Sequence, residues 1–361
     1  MHFDLFYELA VPAFAGRTES QVFHDTLEEI ALADELGFGV AWVVEHHFMR
    51  EYSHAGAPDL FLAAAAGRTR RIRLGHAVVP LPYHHPVHVA ERLATLDILS
   101  RGRVEFGFGR GFQPREYDAF GVDMAESRTR VEESLAILKA AFAGGPIRHA
   151  GRHHRLDDVE VFPRVVQSPH PPLWMAAVSP ESFDLAARMG VGVLAGPFKP
   201  WFMIERDIER YRTACAGAPD EVKASAGRNT RVGMTIGIFC LEDGERARAI
   251  AKTNLTWFYR ELLKHTAPVL DRLYPSYERY AQIGPLKGLL PHAIHLPLLE
   301  SLGMVVAGDP KHCLERLEKY RAAGVDHLLL AIGAGGSASD VVRESMRTLA
   351  RHVLPRLGAA A

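Results

Sequence analysis

The sequence predicts an α/β chain folded as a (β/α)8 TIM barrel with inserted loops. Short apolar runs alternate with longer helical patterns about eight times along 361 residues. That count favours a closed parallel barrel over an open sheet. The residues after the first strand, Glu8-Leu9-Ala10-Val11-Pro12-Ala13, lack the glycine-rich turn of a doubly wound nucleotide-binding fold. A prior of about 150 residues per domain suggests two domains. No linker, repeat or low-complexity tract divides the chain, so 1–361 reads as a single domain.

His2–Tyr7 is the first expected strand, and Glu19–Leu36 has apolar residues at helical spacing before Gly37, a C-terminal cap. Val40–Val44 is too short for a helix and reads as a strand, after which Pro58 opens a helix at its first turn. Ile72–Val79 and Arg103–Phe108 are strands, followed by helices over Pro86–Leu99 and Glu126–Phe142. The rhythm continues with strand Leu173–Ala177, helix Pro180–Met189, strand Val191–Ala195 and helix Trp201–Cys215. Thr230–Leu241 is a long β-rich run with a helix starting at Asp243, and Val325–Ile332 and Ala338–Leu354 form the last pair. Two stretches break the pattern. Residues 144–172 read as an inserted loop or small hairpin, and the proline-rich 267–303 has no clear period. Long irregular segments in a compact fold are usually functional lids or disordered. Leu289, Leu290, Ile294, Leu296 and Leu298 would give such a lid an apolar face.

Composition narrows the function. Hydrophobic residues make up 48% and charged residues 24%, the balance of a soluble globular protein. Lys plus Arg number 42 against 43 Asp plus Glu, which argues against nucleic acid or an anionic membrane as partner. Cys215, Cys240 and Cys313 form neither a metal-type pair nor a disulfide framework, so a cytoplasmic location is expected. No apolar run approaches the roughly 20 residues that span a bilayer, and the N-terminus has no signal-peptide pattern. The conspicuous excess is 19 histidines, several in adjacent pairs.

Three rim segments stand out. Glu45-His46-His47 follows the second strand, at the barrel end where catalytic groups collect. Side chains alternate along a strand, so only one of the two histidines would face the lumen. A loop histidine with an ordinary hydrogen bond explains the pair equally well. A metal site lacks partners: no Asp, Glu and His set at other strand ends completes a ligand sphere, and neither His84-His85 nor His153-His154 has helical ligand spacing. Gly107-Phe108-Gly109-Arg110-Gly111 ends the fourth strand, where glycines admit a flat ligand and an arginine can pair a phosphate. A tight turn is the plainer account of those glycines. Ser179-Pro180-Glu181-Ser182 opens a helix whose N-terminus suits a phosphate, or where Ser179 simply caps it. A planar, phosphate-bearing cofactor would use all three segments.

These segments resemble the bacterial luciferase-like family of flavin-dependent monooxygenases, and the luciferase α subunit in particular. The resemblance covers most of the chain and rests on Val44-Glu45-His46-His47-Phe48, on Leu81-Pro82 with His85-Pro86-Val87, and on Ser100-Arg101-Gly102-Arg103. Phe120-Gly121-Val122-Asp123-Met124 with Ser127-Arg128, then Gly308-Asp309-Pro310 and Ala323-Gly324-Val325-Asp326, continue it. The resemblance implies a barrel with FMN at its C-terminal rim and a homodimer. It implies that His46 is catalytic, that Arg110 and Arg128 hold the FMN phosphate with Ser179 and Ser182, and that Gly109 adjoins the flavin. Ala77-Val78 would form a non-proline cis peptide under the flavin ring.

The family chemistry implied is oxygenation of a small organic substrate by reduced FMN and O2 through a flavin C4a-peroxide. The reduced FMN would come in trans from a separate NAD(P)H:flavin reductase. Shielding and control of one proton are what such chemistry asks of the protein, and His46 titrates in the right range. Three departures bear on this. Gly109 replaces a reactive cysteine of luciferase α, Val178 replaces an acidic residue beside the phosphate site, and Glu116 stands where luciferase α has aspartate. No thiol role transfers. The alternatives are a deazaflavin-dependent oxidoreductase on the same barrel, a non-catalytic flavin-binding subunit, and, more distantly, a metal-dependent hydrolase. The small and apolar Leu60–Ala66 stretch is the expected place for a second copy to pack.

Overall fold

The computed structural model of the chain describes residues 1–273 and 294–358. Its strands are β1 His2–Tyr7, β2 Val40–Val43, β3 Arg73–Pro80, β4 Val104–Gly109, β5 Ile147–Ala150, β6 Arg155–Val159, β7 Leu173–Ala177, β8 Gly192–Ala195, β9 Val232–Cys240, β10 Val305–Gly308 and β11 His327–Ala331. β1, β2, β3, β4, β7, β8, β9 and β11 are parallel neighbours in that order, and β11 returns to β1, closing an eight-stranded barrel. β10 pairs with the C-terminal half of β9, Val305 beside Gly237 and Gly308 beside Cys240. β5 and β6 form an antiparallel hairpin within the first expected insertion.

The helices are α1 Glu19–Leu36, α2 Pro58–Ala66, α3 Pro86–Leu99, α4 Pro114–Ala119, α5 Ser127–Ala143, α6 Pro180–Met189, α7 Trp201–Ala216, α8 Asp220–Lys223, α9 Gly244–Leu273, α10 Leu296–Ser301, α11 Pro310–Ala322, α12 Ser339–His352 and α13 Leu354–Leu357. Punctuation follows side-chain chemistry. Thr18 and Gln21 close a capping box at the start of α1, and Gly37 ends it at φ 86°, a conformation glycine adopts without steric cost. Proline occupies the first turn of α2, α3, α4 and α6.

Every residue of β2, β4, β8 and β9 is buried, as expected for parallel strands covered on both faces. The lumen is plugged by Trp42 and Trp174, edge to face at 5.6 Å. Room for them comes from glycines: a Cβ at Gly75 would lie 2.2 Å from the Trp42 ring, and one at Gly192 would lie 2.6 Å from Trp174. Their indole N–H groups are satisfied by buried carboxylates, Trp42 donating to Asp4 Oδ2 at 2.8 Å and Trp174 to Glu105 Oε2 at 2.6 Å.

Two expectations are corrected. The segment 267–303 is not wholly irregular: α9 runs on to Leu273, and α10 forms from Leu296, with Leu296 buried and Leu298 half-buried. Leu289 and Leu290, offered above for a lid, lie outside the described residues. β10 and α11 add a strand and a helix that the alternation does not reveal. α11 reads Pro-Lys-His-Cys-Leu-Glu-Arg-Leu-Glu-Lys-Tyr-Arg-Ala and buries only Cys313, Leu317 and Tyr320, so its apolar stripe is thin. Among the described residues no helix is long and apolar enough to cross a membrane.

Candidate active site

The floor of the site is made where β3 meets β4. Their pairing slips between His76 and Val79, and the Ala77–Val78 peptide is cis, as the resemblance implies. The bulge demands a bare neighbour. A Cβ at Gly107 would stand 2.1 Å from the His76 carbonyl oxygen, and one at Gly109 would stand 2.8 Å from Val78 Cγ2. The glycines of the fourth strand end are therefore space for β3, a reading more specific than a tight turn.

His46 lies beyond β2, which ends at Val43, so strand alternation does not decide which histidine faces in. Packing decides it. The His46 ring sits edge-on to Phe112 at 5.4 Å and 6.2 Å from Tyr52, with 15% of its side chain exposed. Its Nδ1 is 3.5 Å from Oε1 of the buried Glu116, close enough for charge pairing but without hydrogen-bond geometry. Glu116 is itself pinned: Oε1 accepts the His47 backbone N–H at 2.8 Å and Oε2 accepts from Tyr83 Oη at 3.1 Å. Gly111, at φ 73°, admits that tyrosine, since a Cβ there would lie 2.6 Å from its Oη.

Burial alone would disfavour a charged His46, but the carboxylates of Glu116, Glu8 and Glu45 outweigh it and hold its pKa above the ordinary imidazole value. His47 turns the other way. Its Nε2 meets Glu45 Oε1 at 3.1 Å, and His84 Nε2 shares that oxygen. Burial raises the Glu45 carboxyl, yet the two histidines bring it below the usual carboxylate value. His76 pairs with Asp59 at 3.0 Å, and burial against that pair and Arg92 leaves Asp59 lowered to about 2. Three of the histidines, His47, His76 and His84, thus pair with carboxylates. Among the described residues, no cluster of His, Cys, Asp or Glu is arranged to hold a metal ion.

The anion side is assembled by register. Phe108 pairs with Met175, so Gly109 and Arg110 emerge level with the end of β7, just before Ser179. Tyr117 Oη donates to the Arg110 carbonyl oxygen, and the Ser127 side chain acts on the same hydroxyl, which brings the Arg110 turn near the first residue of α5, next to Arg128. Neither the Arg110 nor the Arg128 guanidinium makes a hydrogen bond or ion pair among the described residues. Ser179 is the N-cap residue of α6 by its backbone, while its hydroxyl caps nothing. Ser182 Oγ is engaged inside the turn, accepting the Val178 N–H at 3.0 Å and donating to the Ser179 carbonyl. It shapes the turn that presents Ser179.

Sequence reasoning passed over Glu8, Tyr52, Tyr83 and Phe112. Glu8 carried a signal: a carboxylate placed directly at the C-terminal end of a barrel strand, where a solvating loop would be the only bland explanation. Tyr52 Oη donates to Glu8 Oε1 at 3.0 Å, and its ring stacks on Phe258 of α9 at 5.5 Å. Gln113 Nε2 donates to the His265 carbonyl at 2.7 Å, so α9 also roofs the His46 side of the rim.

A family model described as luciferase-like monooxygenase matches residues 1–327. The chain is 25% identical to the oxygenase component of flavin-dependent trigonelline monooxygenase of Acinetobacter baylyi, over 94% of this chain and 91% of that one. It is 28% identical to the alkanal monooxygenase alpha chain of Photobacterium leiognathi, over 95% of each. Among solved structures, monooxygenase RslO1 from Streptomyces bottropensis superposes with a TM-score of 0.81 at 29% identity, covering 98% of this chain and 99% of that one. The same fold recurs at 20% identity and a TM-score of 0.73 in the oxygenating constituent of 3,6-diketocamphane monooxygenase of Pseudomonas putida, in complex with FMN, covering 99% of each chain. It recurs at 21% identity and a TM-score of 0.70 in the coenzyme F420 dependent tetrahydromethanopterin reductase of Methanopyrus kandleri, again over 99% of each chain. The match of the family model over residues 1–327, on a barrel whose rim carries these groups, makes the chain a member of the luciferase-like monooxygenase family.

Proposed function

We propose that the protein is the oxygenase of a two-component system, oxygenating a small organic substrate with reduced FMN and O2. The observation that carries this reading is a pair of arginines, Arg110 and Arg128, whose guanidinium groups have no partner among the described residues, with the Ser179 hydroxyl, which caps nothing there, at a helix N-terminus. Together they fit a phosphate monoester, and the Ala77–Val78 bulge at the end of β3 is where the family resemblance puts the ring system. Bound reduced FMN would supply the electrons that activate dioxygen. The chain's own part is to hold the phosphate and, at His46, to hold or release one proton beside the ring. Glu116 keeps that imidazole oriented and charged to higher pH, while Phe112 and Tyr52 keep water off it. A separate NAD(P)H:flavin reductase would supply the flavin, in line with the relative named an oxygenase component.

The assembly that fits is a homodimer, with the exposed Leu60 of α2 and the exposed Ile98 and Leu99 of α3 covered by a second copy. The test of function is direct. Purified protein is titrated anaerobically with reduced FMN and, separately, with reduced deazaflavin, then exposed to 18O2 with panels of aldehydes, ketones and aromatic compounds. Tight FMN binding and one 18O atom in a product support the reading. Binding of deazaflavin alone, or no binding to either, overturns it.

A further inference from the structure

The inner face of α9 carries one residue out of pattern. Phe258, Leu262 and His265 follow one another at spacings of four and three, so they form a single stripe along the helix. Phe258 and Leu262 are buried and apolar, as such a stripe requires, but His265 is polar and half-buried. Two contacts tie it to the site. Its ring lies 5.3 Å from that of Tyr52, which in turn lies 6.2 Å from His46. Its backbone carbonyl accepts from Gln113, the residue after Phe112. The imidazole nitrogens of His265 make no hydrogen bond or ion pair among the described residues. Beside it stand rings that the core does not absorb. Phe112 packs edge-on to His46 at 5.4 Å and to Phe198 at 5.7 Å, and both phenyl groups are half-buried. Phe198 turns back over the end of β8, where a Cβ at Gly196 would lie 2.5 Å from its Cε2.

We infer that His265 is a specificity-determining residue, hydrogen-bonding a neutral hydroxyl or carbonyl group of an aromatic substrate whose ring packs against Phe112 and Phe198. This rests on the reading of the rim as an oxygenase site and adds the class of molecule it selects. Burial holds the His265 imidazole below its ordinary pKa, helped by the charges of His46 and Lys264 and opposed by those of Glu261 and Glu116. The neutral ring donates from one nitrogen and accepts at the other, which suits either group. An anionic group is disfavoured, because Glu8, Glu45 and Glu116 all act on the neighbouring His46. A molecule that lacks the polar group leaves the imidazole half out of water and unpaired, which is how a polar site rejects an apolar analogue.

The test uses four probes of one shape: naphthol, acetonaphthone, ethylnaphthalene and naphthoate. Their binding to the full chain is followed by fluorescence, without flavin and again with oxidised FMN. The native chain should bind naphthol or acetonaphthone roughly 3–10-fold more tightly than ethylnaphthalene, and naphthoate most weakly. The tighter of the first two identifies the group. H265F should bring both down to the level of ethylnaphthalene and leave ethylnaphthalene itself unchanged, and H265L repeats the comparison in a second shape. H265Q, which still hydrogen-bonds, should recover most of the difference, and F112A should weaken all four probes. Equal losses for every probe in H265F and H265L would make His265 a packing residue and overturn the inference. So would native curves without preference among the probes, or tightest binding of naphthoate. Failure of FMN to bind would sink the proposed function, while the flavin-free titrations still decide the role of His265.

Discussion

Oε1 of Glu116 lies 3.5 Å from Nδ1 of His46 while it accepts the backbone N–H of the next residue at 2.8 Å. One carboxylate therefore fixes both the position of the loop and the charge of its imidazole. E116Q keeps the shape and removes the charge. The pKa of His46 is raised in the native chain, partly by Glu116, so E116Q should lower it. If neutral His46 acts as base, the acidic limb of the kcat/KM profile moves to lower pH with it. The check is a pH profile of coupled oxygenation, and a profile without displacement would remove Glu116 from this role.

H46A should separate binding from coupling. No hydrogen bond, ion pair or ring contact joins His46 to Arg110, Arg128 or Ser179. FMN affinity is expected to stay within about threefold, while substrate oxygenation falls by roughly 10²-fold or more, the scale of a lost acid–base group. Hydrogen peroxide measured against product gives the ratio directly.

Arg110 and Arg128 should behave oppositely. Each charge-assisted hydrogen bond to a phosphate contributes about 1.5–3 kcal/mol, so R110A and R128A are each expected to weaken FMN binding roughly 10–100-fold. Riboflavin, which lacks the phosphate, should bind the variants and the native chain alike. Fluorescence titration with both flavins makes the comparison.

Gly107 is a stability position. G107A sets a Cβ 2.1 Å from the His76 carbonyl oxygen, backbone against backbone, where no side chain can swing aside. A loss of about 3 kcal/mol is expected in urea unfolding. G37A, at an exposed helix end with nothing within 4 Å of the new Cβ, should cost less than G107A, only the backbone strain of its φ of 86°.

Glu29 makes stability depend on pH. Burial raises its folded-state pKa from 4.5 to about 7, despite the hydrogen bond it accepts from Ser339. The folded chain then holds a proton that the unfolded chain releases, so stability is full below pH 4.5 and declines as pH rises through about 7. E29Q should therefore be more stable than the native chain at pH 8, by about 1–3 kcal/mol, and gain nothing at pH 4. Urea midpoints at the two values decide it.

The barrel was legible because its strands are buried on both faces and interrupt helical periodicity as compact apolar runs; β2, β4 and β7 need no partner to be recognised. β10 and α11 were hidden for the opposite reason, a strand of four residues leading into a helix with charged residues at nearly half of its positions. Within the site, the Glu45-His46-His47 run and the cis bond at Ala77–Val78 were reached through motifs. The division of labour between the histidines was not, because β2 stops at Val43 and the orientation is set by Phe112, Glu116 and His84 from distant segments, with the neighbouring Glu45 taking His47. Glu8 was passed over although it directly follows the first strand, because its partner Tyr52 lies 44 residues away and only the fold brings the two together.

The barrel's seam joins its first strand to its last. His2 pairs with His327, and His327 Nδ1 bonds Asp4 Oδ2 across 323 residues of chain. A polypeptide emerging from the ribosome thus carries β1 with one edge unpaired until nearly all the rest has been made. Until β11 arrives, Asp4 also lacks one of the partners that neutralise it inside the lumen. Closing so long a loop costs entropy that no local contact repays. A circular permutant opened in the hairpin turn between β5 and β6, with β11 and β1 made consecutively, should refold faster than the native order while keeping the same rim.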